Sequence, residues 1–412
     1  LRQELAAAGI TPLPSPPEVS DEMFALGQAL FFDKVLSGNE EISCATCHLP
    51  EFHTGDGRTL SNGVGGIGLG PERAGGYVLR RNAPPLFALH LERRLLWDGR
   101  VEDLGASVRV PPNVVLPDAM RAVFAPGLEL VATQAMLPPI SFPEMLGFGN
   151  ELSLLGWDTE AIRAIWAGLL ERLLDLPGYL ELLRAAYPGV ALQDLTFAHA
   201  ANAIAAFEVR AFARTDSPFE RFVRGDDAAL TSGQVAGGLE FFGHAGCARC
   251  HSGPLLSDQE HHNIGLPQIA FISPFATCVD CGGDDFGRYS VTSDPADRFE
   301  FRTPSLLGVE LTGPYGHAGQ FAQLRDFVAH YRDVERSLRG YDLLENVTDP
   351  QLSRALVPNS EEVLLSLDPR LRSRRAFDVD AVVEFLRALT AEDASDLSDI
   401  VPASVPSGLP IF

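Results

Sequence analysis

No stretch of the 412 residues approaches the roughly 18–20 uninterrupted apolar residues that a membrane-crossing helix needs, so no span is expected. Positive charge is also short: 32 Lys and Arg stand against 55 Asp and Glu, for a formal net charge of −23. That excludes a nucleic-acid role, because phosphate binding needs Lys and Arg. An acidic surface favours a basic protein partner instead, or simply keeps the chain in solution. No signal peptide opens the sequence: Leu1 begins a polar, helix-like segment, as expected of a mature, processed, exported chain. Methionine is scarce, and Met23, Met120, Met136 and Met145 all fall in the first half. What remains is 46% apolar and 21% charged, the composition of a soluble globular protein too long for one core, so two domains are expected.

The six cysteines form three C-x-x-C pairs: Cys44/Cys47, Cys247/Cys250 and Cys278/Cys281. Two run directly into histidine, as CATCH (44–48) and CARCH (247–251). Two thiols at this spacing add across the vinyl groups of one haem, and the adjacent imidazole turns under the ring to ligate iron. Zinc could use the same residues but needs a fourth ligand from a second cluster, whereas each motif here suffices for haem. His48 and His251 are therefore read as proximal iron ligands, and two covalent c-type haems are expected.

The surroundings repeat as well. LGQALFF (26–32) and AGGLEFF (236–242) precede the two motifs, about 200 residues apart, as in two related domains. Apolar periodicity predicts helices over 22–32 and 232–242. The 38 Gly and 30 Pro predict long loops between helices. TDSPFERFVRGDDAALTS reads as a capped linker near 215–230, dividing the chain into 1–220 and 221–412.

Joined by RNAP (81–84), WDGR (97–100), PEM (143–145) and FRTPSL…LTGPYGHAGQ (301–320), the double motif resembles the bacterial di-haem cytochrome c peroxidase superfamily. The likeness runs from about 22 to 390 and includes the MauG-like branch, with its MauG and MbnH types. The resemblance implies an all-α fold of two cytochrome-like domains, one haem in each, with calcium between them. It implies that Asn82 and the carbonyls of Thr312 and Pro314 hold the calcium, all hard oxygen donors. It implies that Trp97 sits between the haems, and that Gln134 and Glu144 form the distal pair over the peroxide-reactive haem. Residues 101–131 are an insertion relative to the family, expected as a loop shaping access. Ala245 to Cys250 contain no Trp, so an electron route copied from MauG is not expected.

The sixth iron position decides whether a haem carries electrons or activates an oxidant. The loop 54–70 contains no His, Met, Lys or Tyr, whereas reductively activated relatives place a distal His there. His53 lies too close to His48 to reach the opposite face. The first haem is therefore expected to be five-coordinate and open to peroxide. The second half has no Met, which conventional relatives use as the second haem's ligand. The corresponding residue, fourteen beyond His317, is Tyr331, the mark of the MauG-like branch. His330 is its rival; helix neighbours point about 100° apart, so only one can face the haem.

In the mechanism so implied, Glu144 relays a proton between the peroxide oxygens and Gln134 orients peroxide. Trp97 then shares the oxidising equivalents with the Tyr331-ligated haem. Oxidation of a partner protein's side chains, tryptophan included, is the leading function. A peroxidase fed by a small cytochrome c or cupredoxin and a plain electron carrier are the alternatives. Cys278/Cys281 reads as a disulfide in an oxidising periplasm, with thiol metal binding aided by His261 or His262 as the other possibility.

Overall fold

The computed structural model describes residues 1–270, 283–347, 349, 352 and 356–412; the Cys278/Cys281 pair lies outside the described residues. The fold is helix-rich, with long irregular connections. The strands among the described residues are two or three residues long. One three-stranded sheet runs Arg94–Leu95, Val101–Asp103, Val108–Arg109, and Glu102 stands opposite Arg94 and Arg109 across it. Among the described residues, no helix is long and apolar enough to cross a membrane.

Helix Asp21–Phe32 starts where the Ser20 hydroxyl accepts from the Met23 amide. It packs on helix Phe197–Ala211, and Gly27 is what lets the backbones touch: a Cβ there would lie 1.9 Å from the Ala203 carbonyl oxygen. Helix Ser232–Phe242 starts with a capping box between Thr231 and Gln234. It packs on helix Val379–Arg387, and a Cβ on Gly237 would lie 1.9 Å from the Ala381 carbonyl oxygen. The repeated Gly and Phe-Phe thus build the same contact twice. Phe31 meets Phe207 at 5.1 Å and Phe241 meets Phe385 at 5.1 Å.

Each helix pair centres one of the two large apolar clusters. Both termini cross over: Leu5, Ile10 and Leu13 join the second cluster, while Leu397, Ile400 and Val405 join the first. The expected linker contains helix Pro218–Val223, capped by Ser217, whose Phe219 and Phe222 are buried. The 101–131 insertion is not a bare loop either. It carries the strand hairpin and helix Asp118–Arg121, and it buries Val114, Leu116, Phe124 and Leu128 in the first cluster.

Candidate active site

Each C-x-x-C-H motif is a single turn that ends on its histidine. The His48 amide donates to the Cys44 carbonyl at 2.9 Å, and the His251 amide to the Cys247 carbonyl at 2.9 Å. His48 Nδ1 donates to the Thr54 carbonyl and His251 Nδ1 to the Leu256 carbonyl, both at 2.8 Å. A carbonyl only accepts, so the proton sits on Nδ1 and Nε2 is left as the ligating atom. Thr54 (φ 72°) and Leu256 (φ 49°) adopt left-handed backbone to present those carbonyls. Burial lowers both histidine pKa values, which keeps the imidazoles neutral, as iron ligation requires.

The donor set fits covalent haem twice over: Cys44, Cys47, Cys247 and Cys250 are free thiols beside an oriented imidazole. At the second motif a cavity opens, lined by Cys247, Cys250 and His251 and walled by Phe241, Val328 and Leu386. Tyr331 lines it too, and its hydroxyl has no protein hydrogen-bond partner among the described residues. Burial and the neighbouring Cys250 and Cys247 raise the Tyr331 pKa. His330 points elsewhere: Nε2 meets the Ile264 carbonyl at 2.8 Å and Nδ1 meets Ser337 Oγ at 2.9 Å. His53 is likewise occupied, with Nδ1 3.0 Å from the Ala394 carbonyl.

At the first motif, Glu144 lies on the π-helical turn Phe142–Leu146. Its carboxyl pKa is raised by burial and by Asp98, against the opposing pull of Arg100 and the Ser141 hydrogen bond. It is half-buried and lies within electrostatic reach of Cys47. Gln134 is half-buried on helix Glu129–Ala135, and no protein hydrogen bond ties its side chain to Glu144 among the described residues. Glu208 was not singled out from the sequence. It lies beside Cys44, 5% exposed, with Oε2 buried and unpaired, and burial raises its pKa to about 8.

Trp97 Nε1 donates to the Asn82 carbonyl at 2.8 Å, and its own carbonyl accepts from the Arg302 amide at 2.8 Å. Trp97 also lines the second cavity, as do Asn82, Thr312 and Pro314. Asn82 Nδ2 donates to the Arg58 carbonyl at 2.6 Å, which orients the amide and leaves Oδ1 available. Three residues able to offer hard oxygen donors therefore line the same cavity, chemistry that fits calcium.

Sequence reasoning missed the ion network around them. Arg81 grips Asp285 at 2.7 and 2.8 Å and reaches Asp98 at 2.7 Å; Arg100 meets Asp98 at 2.9 Å. Burial alone would raise the Asp98 carboxyl, but Arg81 and Arg100 hold it far below the ordinary range. The signal was present: Arg81 sits in RNAP, and Asp98 and Arg100 in WDGR. His262 is clamped between Asp368 (2.8 Å) and Asp258 (2.9 Å). Burial opposes its protonation, yet the Asp258 hydrogen bond and nearby Cys250 raise its pKa to about 10.

Comparison with known proteins decides the family. The sequence model of the di-haem cytochrome c peroxidase family matches residues 21–228. The methylamine utilization protein MauG of Methylorubrum extorquens is 31% identical over 322 residues, 78% of this chain and 71% of that protein. This chain belongs to the di-haem cytochrome c peroxidase family. The family implies two haems, and its named members make the chain a haem oxidoreductase that takes peroxide. The cytochrome c551 peroxidase of Pseudomonas aeruginosa is 28% identical over 396 residues, 96% of this chain and 86% of that one. A solved MauG-like protein associated with microbial copper homeostasis superposes with TM-score 0.64 at 25% identity, covering 95% of this chain and 96% of that one. The di-haem peroxidase BthA of Burkholderia thailandensis shares the fold, with TM-score 0.61 at 20% identity over 92% of this chain and 88% of that one.

Proposed function

We propose that this chain uses peroxide to oxidise side chains of a partner protein, in the manner of the MauG-like branch, tryptophan being one such side chain. The observation that carries this reading is Tyr331: its unpaired hydroxyl faces the cavity of Cys247, Cys250 and His251, while both nitrogens of His330 are engaged. A phenolate is a hard, anionic donor that favours oxidised iron, which suits an enzyme that must hold oxidising power until a partner is reached. The identity to MauG and the likeness to the MauG-like solved structure support it. A peroxidase fed by a small redox protein is the second reading, favoured by the match to the cytochrome c551 peroxidase over 96% of this chain.

Bound haem supplies a redox-active iron at each site, and at the first site the means to take oxidising equivalents from peroxide. Around it, His48 would be the proximal ligand, and the Thr54 carbonyl keeps its ring neutral and aimed. Glu144, kept protonatable by burial, moves a proton between the peroxide oxygens. Gln134 orients the peroxide. Trp97, anchored to the Asn82 carbonyl, would pass oxidising equivalents between the two sites, and Asn82, Thr312 and Pro314 would hold a calcium ion that fixes this wall. The reading includes two domains, 1–220 and 221–412, with the terminal segments packing across the division, and a periplasmic location.

The test is whether oxidising power is stored. Ferric protein receives one equivalent of peroxide without prior reduction, catalase removes any excess, and ferrocyanide is added after a delay of seconds. Two equivalents of ferrocyanide oxidised by wild type, and none by Tyr331→Met, is the expected result. Equal loss in both proteins would favour the scavenging peroxidase.

A further inference from the structure

The chain has three tryptophans: Trp166 is buried, Trp97 is half-buried, and Trp157 is 56% exposed. Trp157 stands immediately before helix Thr159–Leu174, whose cap is Asp158, so its backbone is anchored. Its ring stacks on Phe142 with centroids 3.5 Å apart and planes at 25°. Phe142 is buried and opens the π-helical turn that carries Glu144. Phe148 packs on the same Phe142 ring at 4.7 Å, and Tyr77 stacks on Phe148 at 5.1 Å. A continuous aromatic ladder thus runs from the turn that carries Glu144 to solvent. The second motif has aromatic contacts of its own, with Phe241 6.3 Å from the His251 ring and packed on Phe242 and Phe385, but all three phenylalanines are buried.

We propose that Trp157 is the port through which electrons enter the first site from a protein docked on its surface. The function proposed above supplies the need for such a port, so the inference rests on it. Trp157 is the exposed one of the two readily oxidised rings in this ladder, Tyr77 being half-buried, and its Nε1 makes no protein hydrogen bond among the described residues. It can therefore give one electron inward and its proton to water. The docked protein then returns one electron, and the indole regains a proton from water. Two passes, with two further protons, reduce one hydrogen peroxide to two waters and remove two electrons from the partner.

The surface around the port describes that partner. Phe148, Leu154 and Leu155 are exposed beside Trp157, and such apolar residues together mark an interaction site. Asp158 is exposed at the helix cap beside them, and Glu151 and Glu160 are exposed but paired with Arg172 and Arg163, so the acidic character of this face rests on Asp158 and on the net charge of −23 of the whole chain. The complementary occupant is a protein with an apolar contact face and a basic rim, steered in electrostatically.

Reduced mitochondrial-type cytochrome c, a basic protein, serves as the probe with the haem-loaded enzyme. Trp157→Phe, which keeps the stack but not the easily oxidised ring, is expected to lower cytochrome oxidised per peroxide consumed at least tenfold. Trp157→Tyr, still oxidisable, restores part of it. Independently of turnover, peroxide with a nitroso spin trap and no donor is expected to leave an adduct on the Trp157 peptide by mass spectrometry, absent in Trp157→Phe. An unchanged ratio in Trp157→Phe, or an adduct that forms elsewhere and never on Trp157, overturns the port and leaves the proposed function standing. If wild type oxidises no cytochrome c while the adduct still forms on Trp157, the indole is oxidised but is no port for a basic protein, and the proposal is overturned. The proposed function, which needs oxidised side chains and not cytochrome turnover, is then untouched.

Discussion

Helix Asp21–Phe32 against Phe197–Ala211, and helix Ser232–Phe242 against Val379–Arg387, are one construction used twice. Gly27 rests on Ala203 and Phe207; Gly237 rests on Ala381 and Phe385. The two motif histidines are locked through Nδ1 at the same 2.8 Å. Carried one residue further, the correspondence sets Glu208 against Leu386. Both are buried, but one is an unpaired carboxyl beside Cys44 and the other an apolar wall of the second cavity. The proposed chemistry divides the halves again, with Glu144 on the Phe142–Leu146 turn assigned to the first site and Tyr331, in the cavity of the second motif, to the second. The scaffold that grips a haem is shared, and the chemistry is assigned by a few polar side chains placed where the repeat breaks.

The strongest test of the shared scaffold is Gly27→Val and Gly237→Val. Each forces a side chain onto a backbone carbonyl, and each is expected to cost about 3 kcal/mol or more, seen as insoluble protein or a lowered denaturation midpoint. Tolerance of one and not the other would break the equivalence. Glu144→Gln comes next: the rate of reaction with peroxide is expected to fall about 100-fold or more in stopped-flow mixing, while the haem content stays at two per chain.

Glu208 gives the smaller, pH-dependent effect. Its folded pKa of about 8 stands above the ordinary 4.5, so in this window the unfolded chain sheds a proton that the folded chain keeps. Wild-type stability therefore falls as pH rises from about 4.5 to 8 and levels off above that. Glu208→Gln removes a slope of up to about 1.4 kcal/mol per pH unit. From pH 5 to pH 7 the variant is expected to gain about 2 kcal/mol on wild type in denaturant titrations, a gain that no substitution of Leu386 would give.

The repeat, both haem motifs and the helices around them were legible in the sequence, because C-x-x-C-H chemistry is local and a heptapeptide such as LGQALFF advertises its own packing face. The choice between His330 and Tyr331 was not, since adjacent helix residues differ only in which way the helix is turned, and that is set by Ile264 and Ser337 from elsewhere. Glu208 was hidden for a related reason: a lone Glu in FAHAANAIAAFEVRA reads as a surface position until tertiary packing buries it. The 101–131 segment looked like a loop because Pro and short strands mask its apolar residues, which pack only on partners far along the chain. The ion network escaped because a motif search weighs Asn82 and Trp97 and passes over the arginines and aspartate beside them.

The proposed function requires one asymmetry: a side chain of the protein closes the second iron and none closes the first. Cyanide titration of the ferric protein, followed optically, counts open irons directly. Wild type and His330→Ala are expected to bind one cyanide per chain, and Tyr331→Phe two. Two per chain in wild type, or one in Tyr331→Phe with the His330→Ala spectrum altered, would contradict it.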